Sequence, residues 1–133
     1  MGKKAFISLS FQHREELGPA INTITEVLKC FDVEAKIFVN EYAFKSGEEA
    51  QMMEVACQAI AQCDLLIAEV SHKAIGVGVE VGYAVGLGKP VIYIRHINAD
   101  HSTTVAGIST YSLIYSTNED LEKQLTKLLT VIF

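Results

Sequence analysis

The sequence lacks three features that would assign it to a common class: paired cysteines, a long apolar run and an excess of positive charge. Its three cysteines, Cys30, Cys57 and Cys63, form neither a CxxC pair nor a Cys/His cluster, which argues against a disulfide framework. No stretch approaches the roughly 18 to 20 consecutive apolar residues of a membrane-spanning helix. The net charge of −5 argues against nucleic acid or an anionic membrane as the main partner.

The beginning of the sequence also shows no cleavage pattern of a signal peptide, so we expect a cytoplasmic protein with reduced thiols. What the chain does have is apolar content: of 133 residues, 50% are hydrophobic and 20% are charged. A chain of this length can bury a core without disulfides or metal. We therefore expect one domain over residues 1–133, with a small-molecule partner and neither a metal nor another cofactor.

Short apolar segments alternate with amphipathic segments along the whole chain. The predicted strands are 4–10, 34–40, 64–70, 90–94 and 111–115, and the predicted helices are 12–29, 48 to about 62, 80 to about 88, and 118–131. Ser46 is the expected cap of the second helix. Strict alternation implies a parallel sheet that is covered on both faces. We predict a flavodoxin-like α/β three-layer sandwich with five parallel strands in the order 2-1-3-4-5.

The predicted topology places a ligand site at one edge of the sheet. Open α/β sheets bind ligands beyond the carboxyl ends of their strands, where the strand order reverses. Here that point lies between the first and third strands, and it gathers Ser8, Ser10, the loop 41–44, the strand end 69–73 and Glu80. Glu80 is expected in the first turn of a helix, where the helix dipole favours a negative charge.

The glycine-rich stretch GVGVEVG at residues 76–82 does not match a dinucleotide-binding fingerprint, because it follows the third strand and its spacing is GxGxxxG. With its neighbours it resembles another family. The segments DLLIAEVS (64–71), GVGVEVGYA (76–84) and GKPVI (88–92) are similar to the nucleoside 2-deoxyribosyltransferase superfamily, which includes 2'-deoxynucleoside 5'-monophosphate N-glycosidases.

The resemblance implies that Glu80 is a catalytic nucleophile. A carboxylate that attacks the anomeric carbon gives a covalent glycosyl-enzyme, which water hydrolyses or a second nucleobase resolves by transfer. The resemblance also implies a homodimer or higher homo-oligomer with a shared site, and a nucleoside or nucleotide as substrate. The substrate-binding candidates are Ser8, Ser10, Tyr42, Phe44, Glu69, Ser71, Gly76 and Gly78.

Several of these residues have a second interpretation. Tyr42 and Phe44 would either stack on a base or cover a core edge, and Glu69 would either contact the sugar or accept structural hydrogen bonds. His72, His96 and His101 lack metal-ligand spacing and are expected in solvated loops.

Two other functions stay open. Ala5-Phe6 stands where the superfamily has a tyrosine, and no carboxylate stands near Ala56, where it has a second catalytic aspartate. A module that binds a nucleotide or nucleoside without catalysis would fit these differences. The segment AFISLSFQHRE (5–15) also resembles the opening of TIR domains, some of which cleave NAD with a glutamate. A TIR-like NAD glycohydrolase is therefore the second alternative.

Overall fold

The computed structural model describes residues 2–41 and 43–133, with Glu41 described in its backbone alone. Strands and helices alternate along the chain as the apolar pattern predicts, except that the segment between the fourth and fifth strands, where no helix was predicted, contains a short one. The strands are β1 (Lys3–Ser8), β2 (Val33–Ile37), β3 (Leu65–Glu69), β4 (Val91–His96) and β5 (Tyr111–Tyr115). The helices are a 3-10 turn (Phe11–His13), α1 (Gly18–Cys30), α2 (Phe38–Glu41), α3 (Glu49–Gln62), α4 (Ile75–Gly86), α5 (Thr103–Ile108) and α6 (Asn118–Ile132).

The sheet has five strands in the order β2-β1-β3-β4-β5, and every neighbouring pair is parallel, which confirms the predicted topology. In the centre, Ile7 of β1 lies opposite Ile37 of β2 on one side and Ile67 of β3 on the other. The order of the strands reverses between β1 and β3, so the carboxyl ends of these two strands flank the crevice in which such sheets bind ligands.

Two cores cover the sheet because successive side chains of each strand point to opposite faces. On what we call the α1/α6 face, Ile7 and Ile67 pack against helix residues such as Leu125. On the α3/α4 face, Phe6 and Leu66 pack against α3 and α4. Among the described residues, no helix has both the length and the apolar character required to cross a bilayer.

Three predicted boundaries are wrong by three residues or more. The second strand ends at Ile37 instead of residue 40, because 38–41 coil into α2. Helix α1 begins at Gly18 instead of residue 12, since Pro19 suits a first helical turn and a 3-10 turn occupies part of the earlier segment. Helix α4 begins at Ile75, well before Glu80.

Ser46 does not cap α3, which is a further correction. The residue at the cap position is Glu48, and no side chain makes a capping hydrogen bond there. The preceding loop is held by carboxylates instead: Glu48 Oε1 accepts from the Lys45 amide at 2.6 Å, and Glu49 Oε1 accepts from the Gly47 amide at 3.0 Å. Gly47 has a φ of +93°, a conformation that glycine adopts without steric cost.

Candidate active site

Glu80 points from α4 to the end of β1. It lies in the second turn of the helix, not in the first turn as predicted. Ser8 Oγ donates a hydrogen bond of 2.5 Å to Glu80 Oε1, although 72 residues of sequence separate the two. Ser8 lies on the same face of β1 as Phe6, which belongs to the α3/α4 core, so its hydroxyl faces α4. The contact puts Glu80 beside the strand end where the topology predicted it.

The surroundings of Glu80 change its acidity. Burial raises the pKa of the Glu80 carboxyl to about 7, and the hydrogen bond from Ser8 acts in the opposite direction. Ser8 itself is 1% exposed, so its hydroxyl is fixed in a dry environment. A carboxyl group with a pKa near 7 is present both with and without its proton at neutral pH, which suits acid, base or nucleophilic chemistry.

Gly76 and Gly78 lie in the first turn of α4, not in a loop. A Cβ atom at either position would meet no other atom within 4 Å, and neither residue has a positive φ. Both glycines are exposed, so these two positions of the helix start carry no side chain, close in sequence to Glu80. Their part in substrate binding stays a prediction.

Glu69 and Ser71 form a separate buried network on the α1/α6 face. Glu69 has no exposed surface, and its Oε1 accepts from the Ser71 amide at 2.8 Å. Its Oε2 accepts from Ser71 Oγ and from the Tyr115 hydroxyl, both at 2.7 Å. Ser71 Oγ in turn accepts from the His96 amide at 2.9 Å. These bonds join the carboxyl ends of β3, β4 and β5, and burial together with the Glu69 charge raises the pKa of Tyr115.

The remaining predicted residues are less directly connected with Glu80. Ser10 is 3% exposed, and its Oγ lies 2.9 Å from Nδ1 of His13. Phe44 is half-buried against the α3/α4 core, with its ring stacked on Phe38 at 6.2 Å between centroids. Tyr42, the other predicted aromatic contact, lies outside the described residues. The structure thus brings Ser8 to Glu80 and groups Glu69 with Ser71 on the opposite face.

A cleft of about 710 Å³ opens at the carboxyl ends of β3, β4 and β5. Its lining includes Glu16, Ser71, His72, His96 and Tyr115. His72 and His96 were predicted for solvated loops, and both are half-buried here instead. These residues come from the ends of three strands and from the segment before α1, far apart in the sequence, and of the five only Ser71 was predicted for the site.

Comparison with known proteins identifies the family. The family model for nucleoside 2-deoxyribosyltransferase matches residues 12–124, most of the chain. The chain belongs to the nucleoside 2-deoxyribosyltransferase family. A relative from Syntrophotalea carbinolica with the provisional name 2'-deoxynucleoside 5'-phosphate N-hydrolase 1 is 44% identical over 41 residues. That match covers 31% of this chain and 29% of the relative, less than a third of either.

Solved structures resemble this member of the deoxyribosyltransferase family over nearly its whole length. A CMP N-glycosidase from Clostridium botulinum is 21% identical with a TM-score of 0.69, and the match covers 95% of this chain and 99% of that one. A 2-deoxyribosyltransferase from Bacillus psychrosaccharolyticus is 16% identical with a TM-score of 0.67, and the match covers 90% of each chain. At these identities the likeness shows a shared fold.

Proposed function

We propose that this protein cleaves the N-glycosidic bond of a nucleoside or nucleotide, by hydrolysis or by transfer to a second base, with Glu80 as the nucleophile. Membership of the nucleoside 2-deoxyribosyltransferase family supports the reaction class. The observation that carries the proposal is the contact of Ser8 with Glu80, which holds a carboxyl of pKa about 7 at the crevice of the sheet.

The chemistry follows from the carboxylate. Because Ser8 engages Oε1, we assign the attack to Oε2 of Glu80. A bond forms between Oε2 and the anomeric carbon, while the bond from that carbon to the base nitrogen breaks and leaves its electron pair on the base. Protonation assists the departure of the base. Water or a second base then attacks the same carbon, gives up its proton, and releases the carboxylate of Glu80.

The substrate-binding residues remain part of the proposal. Ser8 ends β1 beside the crevice and Ser10 follows it, and Gly76 and Gly78 expose the backbone of the first turn of α4. The names of the similar proteins refer to CMP and to 2'-deoxynucleoside 5'-phosphates. Nucleoside 5'-monophosphates are therefore the first substrate class to test, with the unphosphorylated nucleosides beside them.

The test measures release of free base by chromatography from a panel of nucleosides, deoxynucleosides and their 5'-monophosphates, with and without an acceptor base. We expect release or exchange with at least one member of the panel, and loss of this activity in Glu80→Gln. Glu54→Gln is the matched control, because Glu54 is exposed on α3. No release from any member, or full activity in Glu80→Gln, would contradict the proposal.

A non-catalytic binding module is the second candidate. The superfamily resemblance implies a second catalytic carboxylate near Ala56. In this chain Ala56 is instead a core residue of the α3/α4 face with 1% of its surface exposed. This candidate predicts that a nucleotide binds equally to the wild type and Glu80→Gln, with no base released by either. Including NAD in the panel tests the TIR-like alternative, which predicts the release of nicotinamide.

We also propose that two copies of the chain associate through the outer face of α4. Ile75, Val79, Tyr83 and Leu87 recur at intervals of four residues and are 90%, 50%, 39% and 44% exposed. Contiguous exposed apolar surface of this kind marks interaction sites. A partner on this face would lie next to Glu80, as a shared site requires.

The oligomeric state tests this association. Sedimentation should show a dimer for the wild type and a monomer for Val79→Lys, which puts a charge in the middle of the apolar face. Val131→Lys is the control, because Val131 is 80% exposed near the end of α6, away from this stripe. A wild-type monomer, or a dimer that Val79→Lys leaves intact, would refute the proposed interface.

The cytoplasmic location also stays a proposal. Cys30, Cys57 and Cys63 are all free thiols, which fits a reducing compartment.

A further inference from the structure

Two histidines and a glutamate converge beside Ser10, which lies two residues after Ser8. His13 ends the 3-10 turn after β1, Glu16 follows it, and His72 lies in the loop after β3. Each of the three offers a ligand atom within 4.8 Å of the others. His72 Nε2 lies 2.8 Å from Glu16 Oε2, and the two imidazole rings stack at 3.7 Å with an angle of 3° between their planes.

We propose that His13, Glu16 and His72 form a binding site for a divalent transition-metal ion of the Zn²⁺ type. Two imidazoles and one carboxylate are the three protein ligands of open zinc sites, in which a fourth position is left for water or a substrate atom. The same donors suit Co²⁺ and Ni²⁺, whereas Mg²⁺ and Ca²⁺ prefer oxygen ligands.

The distances allow an ion to be enclosed by side-chain rotation alone. Bonds of about 2.1 Å in tetrahedral geometry hold ligand atoms about 3.4 Å apart. The three ligand atoms already lie within 4.8 Å of one another. The stacked rings must tilt so that each nitrogen lone pair points at the ion, and the ion replaces the contact between His72 and Glu16.

Ser10 engages the ring nitrogen of His13 that does not face the ion in the proposed site. Metal-binding histidines hold the second ring nitrogen by a hydrogen bond to a neighbouring group, which sets the tautomer. Ser10 Oγ lies 2.9 Å from His13 Nδ1, and Ser10 is 3% exposed, so this partner is held firmly. In the tautomer in which Nδ1–H donates to Ser10 Oγ, Nε2 of His13 carries the lone pair that binds the ion.

The open coordination position is accessible from solvent. Glu16 and His72 both line the cleft of about 710 Å³, next to Ser71 and Asn118. A water molecule or an oxygen atom of a ligand in this cleft can therefore complete the coordination of the ion. A bound ion would thus place a positive charge at the edge of the cleft, whose described lining contains no lysine or arginine.

The test uses the full chain after treatment with EDTA. Zn²⁺ is titrated in competition with a chromophoric indicator, and Co²⁺ is titrated while its visible absorption is recorded. We expect one ion per chain and a rise in the melting temperature with added Zn²⁺, since the ion binds the folded state. We expect each variant that removes a ligand to lower the affinity for Zn²⁺ by more than about tenfold: His13→Ala, His72→Ala and Glu16→Gln. Loss of a residue that only hydrogen-bonds a ligand already costs about tenfold.

Matched variants separate this site from other zinc-binding groups. Glu15→Gln and His101→Ala should keep the wild-type affinity, because both residues are exposed and lie outside the cluster. Ser10→Ala keeps all three ligands and should still lower the affinity about tenfold. The proposal is overturned if the wild type binds no Zn²⁺, or if the affinity survives in both His13→Ala and His72→Ala. If any ligand variant fails to fold, the Zn²⁺ affinity of Ser10→Ala becomes the test. An affinity equal to that of the wild type then overturns the proposal.

Discussion

Replacing Glu80 with glutamine tests the acidity of this residue without any substrate. The carboxyl has a pKa of about 7 in the folded protein and 4.5 as an unperturbed group. Between pH 4.5 and 7 the folded chain holds a proton on Glu80 that the unfolded chain has lost. The contribution of Glu80 to the free energy of unfolding is therefore fully present below pH 4.5. It is lost as the pH rises through 7. This difference in pKa between the two states corresponds to about 3.4 kcal/mol in full.

The glutamine variant has no proton to lose, so this part of the pH dependence disappears. Relative to the wild type, the free energy of unfolding of Glu80→Gln should therefore rise by up to about 3 kcal/mol between pH 4.5 and 8. Urea unfolding of both proteins at half-unit intervals of pH measures the difference and cancels the titration of all other groups. Glu54→Gln, on the exposed face of α3, should give a flat difference. A difference that is also flat for Glu80→Gln, or that falls with pH, would refute the burial of this carboxyl.

The remaining predictions concern the neighbours of the site and the core. Ser8→Ala removes the hydrogen bond that lowers the pKa of Glu80, so the rising limb of a pH–rate profile should move to higher pH. Tyr115→Phe removes one of the donors to the fully buried Glu69 and should lower the free energy of unfolding by about 1 to 3 kcal/mol in urea denaturation. Leu125→Ala, in the α1/α6 core with no exposed surface, should lower it by about 2 to 5 kcal/mol.

Each of these predictions has a control. Ser112 is exposed on the edge strand β5, so Ser112→Ala should not shift the pH–rate profile. If Ser112→Ala shifted the profile as far as Ser8→Ala does, the effect of Ser8 would not be specific. Tyr111→Phe is the control for Tyr115→Phe, and Glu122→Ala is the control for Leu125→Ala. Both control residues are more exposed than their counterparts, so each variant should change the free energy of unfolding by less than about 0.5 kcal/mol. Losses of similar size in the controls would contradict the assigned roles of Tyr115 and Leu125.

The sheet topology could be predicted because buried parallel strands are apolar along their length and amphipathic helices separate them. Strand β5 has its predicted bounds of 111 and 115, and α6 begins at Asn118 as predicted. The start of α4 could not be found in this way. Gly76 and Gly78 are poor helix formers and suggest a loop, yet Val77 and Val81 are buried against the sheet, and this packing extends the helix. The expectation that Glu80 lies in a first turn is wrong for that reason.

The site was predictable in part. Strand order alone placed Glu80 near the end of β1, where Ser8 contacts it. The alternation of side chains along β3, however, turns Glu69 to the opposite face, where Ser71 and Tyr115 satisfy it. The cluster of His13 with Glu16 and His72 escaped detection because it joins two loops that follow different strands, and spacing within one segment carries no signal for such a contact.

The most direct test of the central claim is to trap the covalent intermediate on Glu80. The protein is mixed with a nucleoside 5'-monophosphate that it cleaves and quenched in acid within milliseconds, and its peptides are then analysed by mass spectrometry. We predict a mass increase equal to the sugar phosphate less one water molecule on the peptide that contains Glu80, together with release of the base, and neither in Glu80→Gln. Base release that persists in Glu80→Gln, or a sugar adduct on another residue, would contradict the assignment of Glu80 as the nucleophile.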